Sequence, residues 1–391
     1  SLNTKKFLKN HFLILLATSF SGLFISNLAK ATILNNSYKE VIDHVWQIVY
    51  RDFLDSNGKF ERSNWIELRQ KFLSKKYSDS NEAYEAIREM LSNLDDPYTR
   101  FLEPKEFNQM RIDTSGELTG VGIQIVKDKE SDDLIIVSPI EGTPAYDAGI
   151  KARDKILSID DVSTKGMNIE EAVKLIRGQR GTKVRLEIQR EGNSFYKSLS
   201  RERIEIKSVS SKINQTKNGV LIGYVRLKQF NANASKEMKK ALKELERKKV
   251  SGYILDLRSN PGGLLESSID IARQFIDKGI IVSTLTKDGL KEIKRGNGQA
   301  LTEKPLVVLV NEGSASASEI VSGAIRDNKR GKLVGKKTFG KGLVQSMRTL
   351  VDGSGLTVTV AKYLTPNGTD INKFGIIPDI EVNMNTRILS R

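Results

Sequence analysis

The chain has 391 residues, 63 Lys and Arg against 48 Asp and Glu, a formal net charge of +15 and 38% hydrophobic residues. That length exceeds one ordinary core and predicts two or three domains; with no cysteine, disulfides, thiolate metal sites and cysteine nucleophiles are excluded. Two histidines, His11 and His44, leave little for a Ser-His-Asp triad or for zinc or haem, and no cofactor or metal is expected.

The first 31 residues differ in kind from the rest. Lys5, Lys6 and Lys9 form a basic head, Phe12 to Ile25 is an apolar run broken by a few small polar residues, and Ala29-Lys30-Ala31 has the small-x-small form of a cleavage site. This predicts a secretory signal cleaved after Ala31, with an uncleaved membrane anchor as the alternative. In either case the body of the protein is exported. The remaining basic charge is interleaved with Glu, as in SKEMKKALKELERKK. It reads as a solvated surface, and no nucleic-acid partner is expected; membrane proximity is expected through the leader or a substrate.

Residues 32–112 read as a helical segment. Val41, Ile42, Val45, Trp46 and Val49 recur at helical spacing, as do Ala83, Ile87, Met90, Leu91 and Leu94 before Asp95-Asp96-Pro97. His44, beside the first stripe, reads as an ordinary helical histidine. The phrase LDDPYTRFLEP reads as a turn and a short apolar segment without chemistry.

Residues 113–207 change to short alternating strands. Val121, Ile123 and Ile125 alternate with polar or small residues, Leu134 to Val137 and Ile156 to Ile159 are further strands, and Pro144 opens a short helix. Asn168 with Glu171 three residues on is a capping box that starts a longer helix. This order resembles a PDZ domain, a partly open β-barrel with two helices, in which Gly120-Val121-Gly122-Ile123 is similar to the loop whose backbone N–H groups capture a terminal carboxylate.

Residues 208–391 alternate strand and helix, which argues for a largely parallel sheet with covering helices. Tyr253 to Leu257 is a buried strand ending in Ser259-Asn260-Pro261-Gly262-Gly263. Leu306 to Val310 is another, ending in a turn with Ser314, Ser316 and Ser318 before a helix with Ile320, Val321, Ala324 and Ile325 on one face. Both turns fall at the carboxyl ends of strands, where ligands sit in such sheets. A serine at a helix N-terminus meets free N–H groups and the positive end of the dipole. Lys341 follows between two glycines, and Gln345 comes one helical turn's spacing later. With no usable imidazole, a Ser-Lys pair remains as the nucleophilic chemistry. On the residues alone any of the three serines could be nucleophile or helix cap. Glu319 reads as a first-turn partner of the helix dipole, and Asp256 as structural.

The leader, the PDZ order, LDLRSNPGG, EGSASASEI and FGKGLVQ together resemble the carboxyl-terminal processing proteases, also called tail-specific proteases, and phrases such as SGELTGVGIQI are most similar to the cyanobacterial and chloroplast branch. The resemblance implies an α/β multidomain protein whose core has the ClpP/crotonase fold. It implies Ser316 as nucleophile, Lys341 as base and Gln345 as its companion. It also implies a serine endopeptidase acting near the C-termini of protein substrates, in a periplasm or thylakoid lumen, including maturation of a photosystem II reaction-centre precursor. The lysine must be neutral to act, so a dry site is expected, aided by Phe339, Leu343 and Val344. The oxyanion donors expected are the backbone N–H groups of Ala317 and of Gly262 or Gly263. A non-catalytic PDZ scaffold is the alternative, and a crotonase-like enzyme a third.

Overall fold

The computed structural model describes residues 25–128 and 130–382. The basic head and most of the apolar run of the expected leader lie outside them. The first described helix, α1 (Ile25–Asp52), already runs through the expected cleavage site. Among the described residues no helix is long and apolar enough to cross a membrane.

The helical periodicity of the N-terminal segment forms α1, α2 (Arg62–Ser74) and α3 (Ser80–Ser92), the last capped by Asp79, whose side chain accepts the Glu82 N–H. Their apolar faces meet around Ile42, Val45, Trp65, Phe72, Ile87 and Met90. The chain then forms a three-residue strand, β1 (Arg100–Leu102), and α4 (Pro104–Ser115). The strand departs from the reading of residues 32–112 as a helical segment, and α4 runs across the expected boundary at residue 112.

The next segment holds β2 (Glu117–Gly120), β3 (Ile123–Lys127), β4 (Leu134–Pro139), α5 (Pro144–Asp147), β5 (Lys155–Ile159), β6 (Val162–Ser163), α6 (Ile169–Ile176), β7 (Lys183–Arg190), β8 (Asn193–Ser200) and β9 (Glu202–Glu205). Strands β3 to β8 form an antiparallel sheet around Ile136, Ile156, Val184 and Leu186, with α5 and α6 against it. Asn168 caps α6 reciprocally with Glu171, as its capping-box spacing predicts. Strands β2 and β9 pair as the stalk joining this unit to the rest.

The C-terminal region comprises β10 (Val209–Gln215), β11 (Leu221–Leu227), α7 (Ala234–Arg247), β12 (Gly252–Asp256), α8 (Leu265–Arg273), β13 (Ile280–Thr286), β14 (Lys291–Arg295), β15 (Leu306–Val310), α9 (Ala317–Asp327), β16 (Lys332–Gly335), β17 (Leu343–Thr349), β18 (Gly355–Leu364) and β19 (Ile380–Glu381). One sheet has the order β10-β11-β12-β15-β16-β19, parallel except for β10. A second sheet, β1-β18-β13-β14 with β17 on the other side of β18, is antiparallel. So β13 joins the second sheet and not the parallel one. Helices α8 and α9 lie in the core between, with Ile269, Ile271, Val321 and Ala324 fully buried. Leu356 and Val358 of β18, with Leu350 from the turn before it, belong to the same apolar cluster as α1 to α3. The N-terminal segment is thus built into the core through β1 and that cluster.

Candidate active site

Strands β12 and β15 are parallel neighbours, so the turns at their carboxyl ends come together. Asn260, fully buried, does the joining: its Nδ2 donates to Leu227 O at 2.9 Å, its Oδ1 accepts Gly262 N–H at 2.9 Å, and its carbonyl accepts Ala315 N–H at 3.0 Å and Ser318 Oγ at 2.9 Å. A Cβ on Gly262 would lie 2.9 Å from Ser316 Cβ, so only glycine permits this approach. The φ of Gly262 is +104° and that of Gly263 +143°, which L side chains rarely adopt.

The three serines separate by environment. Ser314 is fully buried, its hydroxyl donating to Leu257 O at 2.8 Å and accepting Asn311 N–H. Ser318 is fully buried and bonded to Asn260. Ser316 lines the cleft and stands directly before α9 with φ +53° and ψ −112°. Such a backbone costs about 1–3 kcal/mol and needs its surroundings to hold it.

Glu319 supplies much of that hold. It is fully buried, so the dipole-partner reading is too modest. Its Oε2 accepts the backbone N–H of Ser316 and of Lys341, each at 2.9 Å, and its Oε1 accepts Gly340 N–H at 2.7 Å and Thr338 Oγ1 at 2.6 Å. On the other side the Tyr363 hydroxyl lies 2.8 Å from Lys341 O and 3.2 Å from Ser316 O. Burial pushes this phenol well above its ordinary pKa, so it stays a donor.

Lys341 is half-buried, and its Nζ has no hydrogen-bond or ion-pair partner among the described residues. It lies 4.6 Å from the centroid of the Tyr98 ring. Burial, aided by the Arg100 guanidinium, holds its ammonium pKa below the ordinary lysine value, against the pull of Asp96 and Glu319. Of the apolar residues expected to keep it dry, Leu343 is buried and Val344 half-buried, but Phe339 is 58% exposed and turned to solvent. Gln345 sits on β17 and not on a helix, and its Nε2 donates to Thr359 Oγ1 at 3.2 Å.

Ser316, Ala317, Gly262, Gly263, Lys341 and Gln345 all line one open cleft of about 2190 Å³. The N–H groups of Ala317 and Gly263 have no acceptor among the described residues, whereas that of Gly262 is donated to Asn260. The far wall of the cleft is α6, through Ile169, Glu170, Val173 and Lys174. The Gly120-Val121-Gly122-Ile123 loop lies off the cleft; Gly122 is at φ +81° against Thr143, and the Val121 and Gly122 carbonyls accept Ala145 and Ile140 N–H groups. His44 is in α1, away from the cleft lining. Asp256 is fully buried and bonded to Arg226, Arg258 and Tyr224, a structural cluster. Among the described residues no group of three or more histidines or carboxylates is arranged to hold a metal.

The model of Peptidase family S41 matches residues 221–382, and a PDZ domain model matches residues 135–190. The chain is 45% identical over 359 residues to a carboxyl-terminal-processing protease of Synechocystis, covering 91% of this chain and 83% of that protein. It is 38% identical over 353 residues to a chloroplastic C-terminal processing peptidase of Tetradesmus obliquus, covering 86% and 76%. Among solved structures it is similar to a photosystem II D1 C-terminal processing protease, with a TM-score of 0.57 at 37% identity, covering 89% of this chain and 93% of that one.

Proposed function

The chain belongs to peptidase family S41, and from that membership we propose how its residues act. It is a serine-type peptidase of the carboxyl-terminal-processing kind, with a PDZ domain and an α/β core. Ser316 Oγ attacks the scissile carbonyl while Lys341 Nζ, whose neutral form desolvation favours, takes the proton. The tetrahedral oxyanion is held by the N–H groups of Ala317 and Gly263. Collapse expels the amine, which takes the proton from Lys341, and water releases the acyl group by the same path. Gln345, with its amide N–H₂ engaged by Thr359, has its Oε1 left for the lysine.

The observation that carries this reading is the paired bridge from Glu319 and Tyr363 to the backbones of Ser316 and Lys341. It holds the backbones of Ser316 and Lys341 side by side in one cleft, which supports reading them as nucleophile and base. Its test is cleavage of a protein or peptide with an accessible apolar C-terminal tail: Ser316→Ala and Lys341→Ala should each be inactive and folded. Retained cleavage in the Lys341→Ala protein would exclude a lysine base. Binding without cleavage by the native protein would favour the scaffold.

The substrate tail would lie extended along β17, which among the described residues pairs with β18 alone and lines the cleft from Leu343 to Met347. The PDZ unit would hold the tail's end. The name of the similar solved structure, with the cyanobacterial and chloroplastic relatives, supports a D1-type photosystem II precursor as substrate and an exported setting, periplasm or thylakoid lumen. Trimming of a synthetic D1 C-terminal extension by the purified protein tests the substrate; fractionation of cells tests the address.

A further inference from the structure

The base sits against a stretch that family membership does not explain and that a composition reading passes over. The turn from Asp96 to Arg100 leaves the helical segment and is clamped on β18. Thr357 Oγ1 donates to Tyr98 O at 2.8 Å, and Thr359 N–H donates to Thr99 Oγ1 at 3.0 Å. The Asp96 carboxylate is the centre of the clamp. Its Oδ1 accepts Tyr98 N–H at 3.0 Å, and its Oδ2 accepts Thr99 Oγ1 at 2.7 Å and Thr359 Oγ1 at 2.6 Å. Thr359 Oγ1 in turn accepts the Gln345 amide at 3.2 Å. A chain of hydrogen bonds therefore runs from the N-terminal segment to Gln345, and the aromatic face of the same turn carries Lys341 Nζ.

We propose that the Asp96–Arg100 turn is a positioning element of the catalytic lysine's site: Tyr98 carries Lys341 on its ring face, and Asp96, acting through Thr359, fixes the Gln345 amide. The proposal rests on the reading of Lys341 as the base. A carboxylate in direct contact would stabilise the ammonium strongly and keep the lysine protonated. A ring face attracts the same group by only about 0.5–2 kcal/mol, so it can tether the amine without fixing its proton. The arrangement keeps Asp96 bound to the Thr99 and Thr359 hydroxyls and the Tyr98 N–H, without an ion pair to Nζ. The groups that bear on the lysine are then Tyr98, Arg100, Asp96 and Glu319.

The test uses the full chain with Tyr98→Leu and Tyr98→Phe. The leucine protein should lose kcat by about tenfold to a hundredfold through misplacement of the amine, with KM little changed. Its acidic limb should move to lower pH, because the ring no longer favours the ammonium. Phenylalanine, which keeps the ring, should recover both. In the Ser316→Ala background, the Lys341 side-chain NMR signal, assigned by its loss in Lys341→Ala, should titrate lower with leucine at residue 98 and return with phenylalanine. Tyr98→Met serves the same comparison should the leucine protein not fold. A leucine or methionine protein with native kcat and an unmoved limb, or a phenylalanine protein as impaired as these, overturns the proposal. Activity surviving in Lys341→Ala would instead overturn the underlying assignment of the base.

Discussion

Glu319 accepts the backbone N–H of Lys341 at 2.9 Å through the same oxygen that accepts that of Ser316, although 22 residues separate it from the lysine. The carboxylate is enclosed and meets four donors. In Glu319→Gln one oxygen becomes a donor that must face another N–H or hydroxyl. The expected result is a stability loss of about 1–3 kcal/mol and a fall in kcat far larger than that loss would cause. Thermal unfolding and steady-state kinetics on the same preparation check both.

Lys341 gives a signed dependence on pH. Its folded pKa lies below the ordinary value of 10.5, mainly through burial, so between the two values the folded state binds fewer protons than the unfolded chain. The stability penalty is therefore full below the folded pKa and fades as pH rises toward 10.5. Lys341→Met, similar in length and uncharged, should be inactive yet melt about 2 °C higher at neutral pH. The gain should vanish in strongly alkaline buffer. Activity of the native protein should fall on the acid side as the amine protonates.

Asp256 also weakens the fold in acid, but in the carboxylate range, below its ordinary value of 3.8. Burial alone would raise its pKa, but hydrogen bonds from Arg258 and Tyr224 and the charge of Arg258 more than offset this, leaving it below the ordinary value. Its stabilisation is present above the unfolded pKa and lost as pH falls through the lower folded one. Asp256→Ala leaves Arg226 and Arg258 without their shared carboxylate and should cost about 3–5 kcal/mol. Denaturant unfolding at pH 7 measures it.

Gly263 is a proposed donor to the oxyanion. A Cβ there would stand 2.3 Å from Phe230 O, at a φ of +143°. Gly263→Ala should shift the turn and lower kcat by about a hundredfold, with tail binding retained. Direct binding of a C-terminal peptide to the Ser316→Ala and Ser316→Ala/Gly263→Ala proteins separates the two effects.

Much of this was legible from local signals. Period 3.6 stripes located α1 and α3, the Asn168 capping box located α6, and the apolar runs located β12 and β15 with their turns. What escaped shares one physical cause, that its partners are remote in sequence. Three residues cannot show a strand period, so β1 is visible only from its pairing with β18. Asp96 and Tyr98 acquire roles only once Thr357 and Thr359 lie beside them. Gln345 has helical spacing from Lys341 yet stands on a strand, because the hairpin partner after Gly353 imposes the alternation. Phe339 looked suited to a dry pocket, but the loop that seats Gly340 against residues 373–375 turns its ring outward.

The pairing of β1 with β18 also sets a schedule. Thr359 N–H bonds to Thr99 across 260 residues, so the wall under Lys341 cannot close until nearly the whole chain has been made. A nascent chain carrying its helical and PDZ portions has neither Ser316 nor Lys341, and one extended only just past Lys341 still lacks β18, the strand that seats the Tyr98 turn. Order of synthesis thus holds the assembly of this cleft back to the last stage of folding.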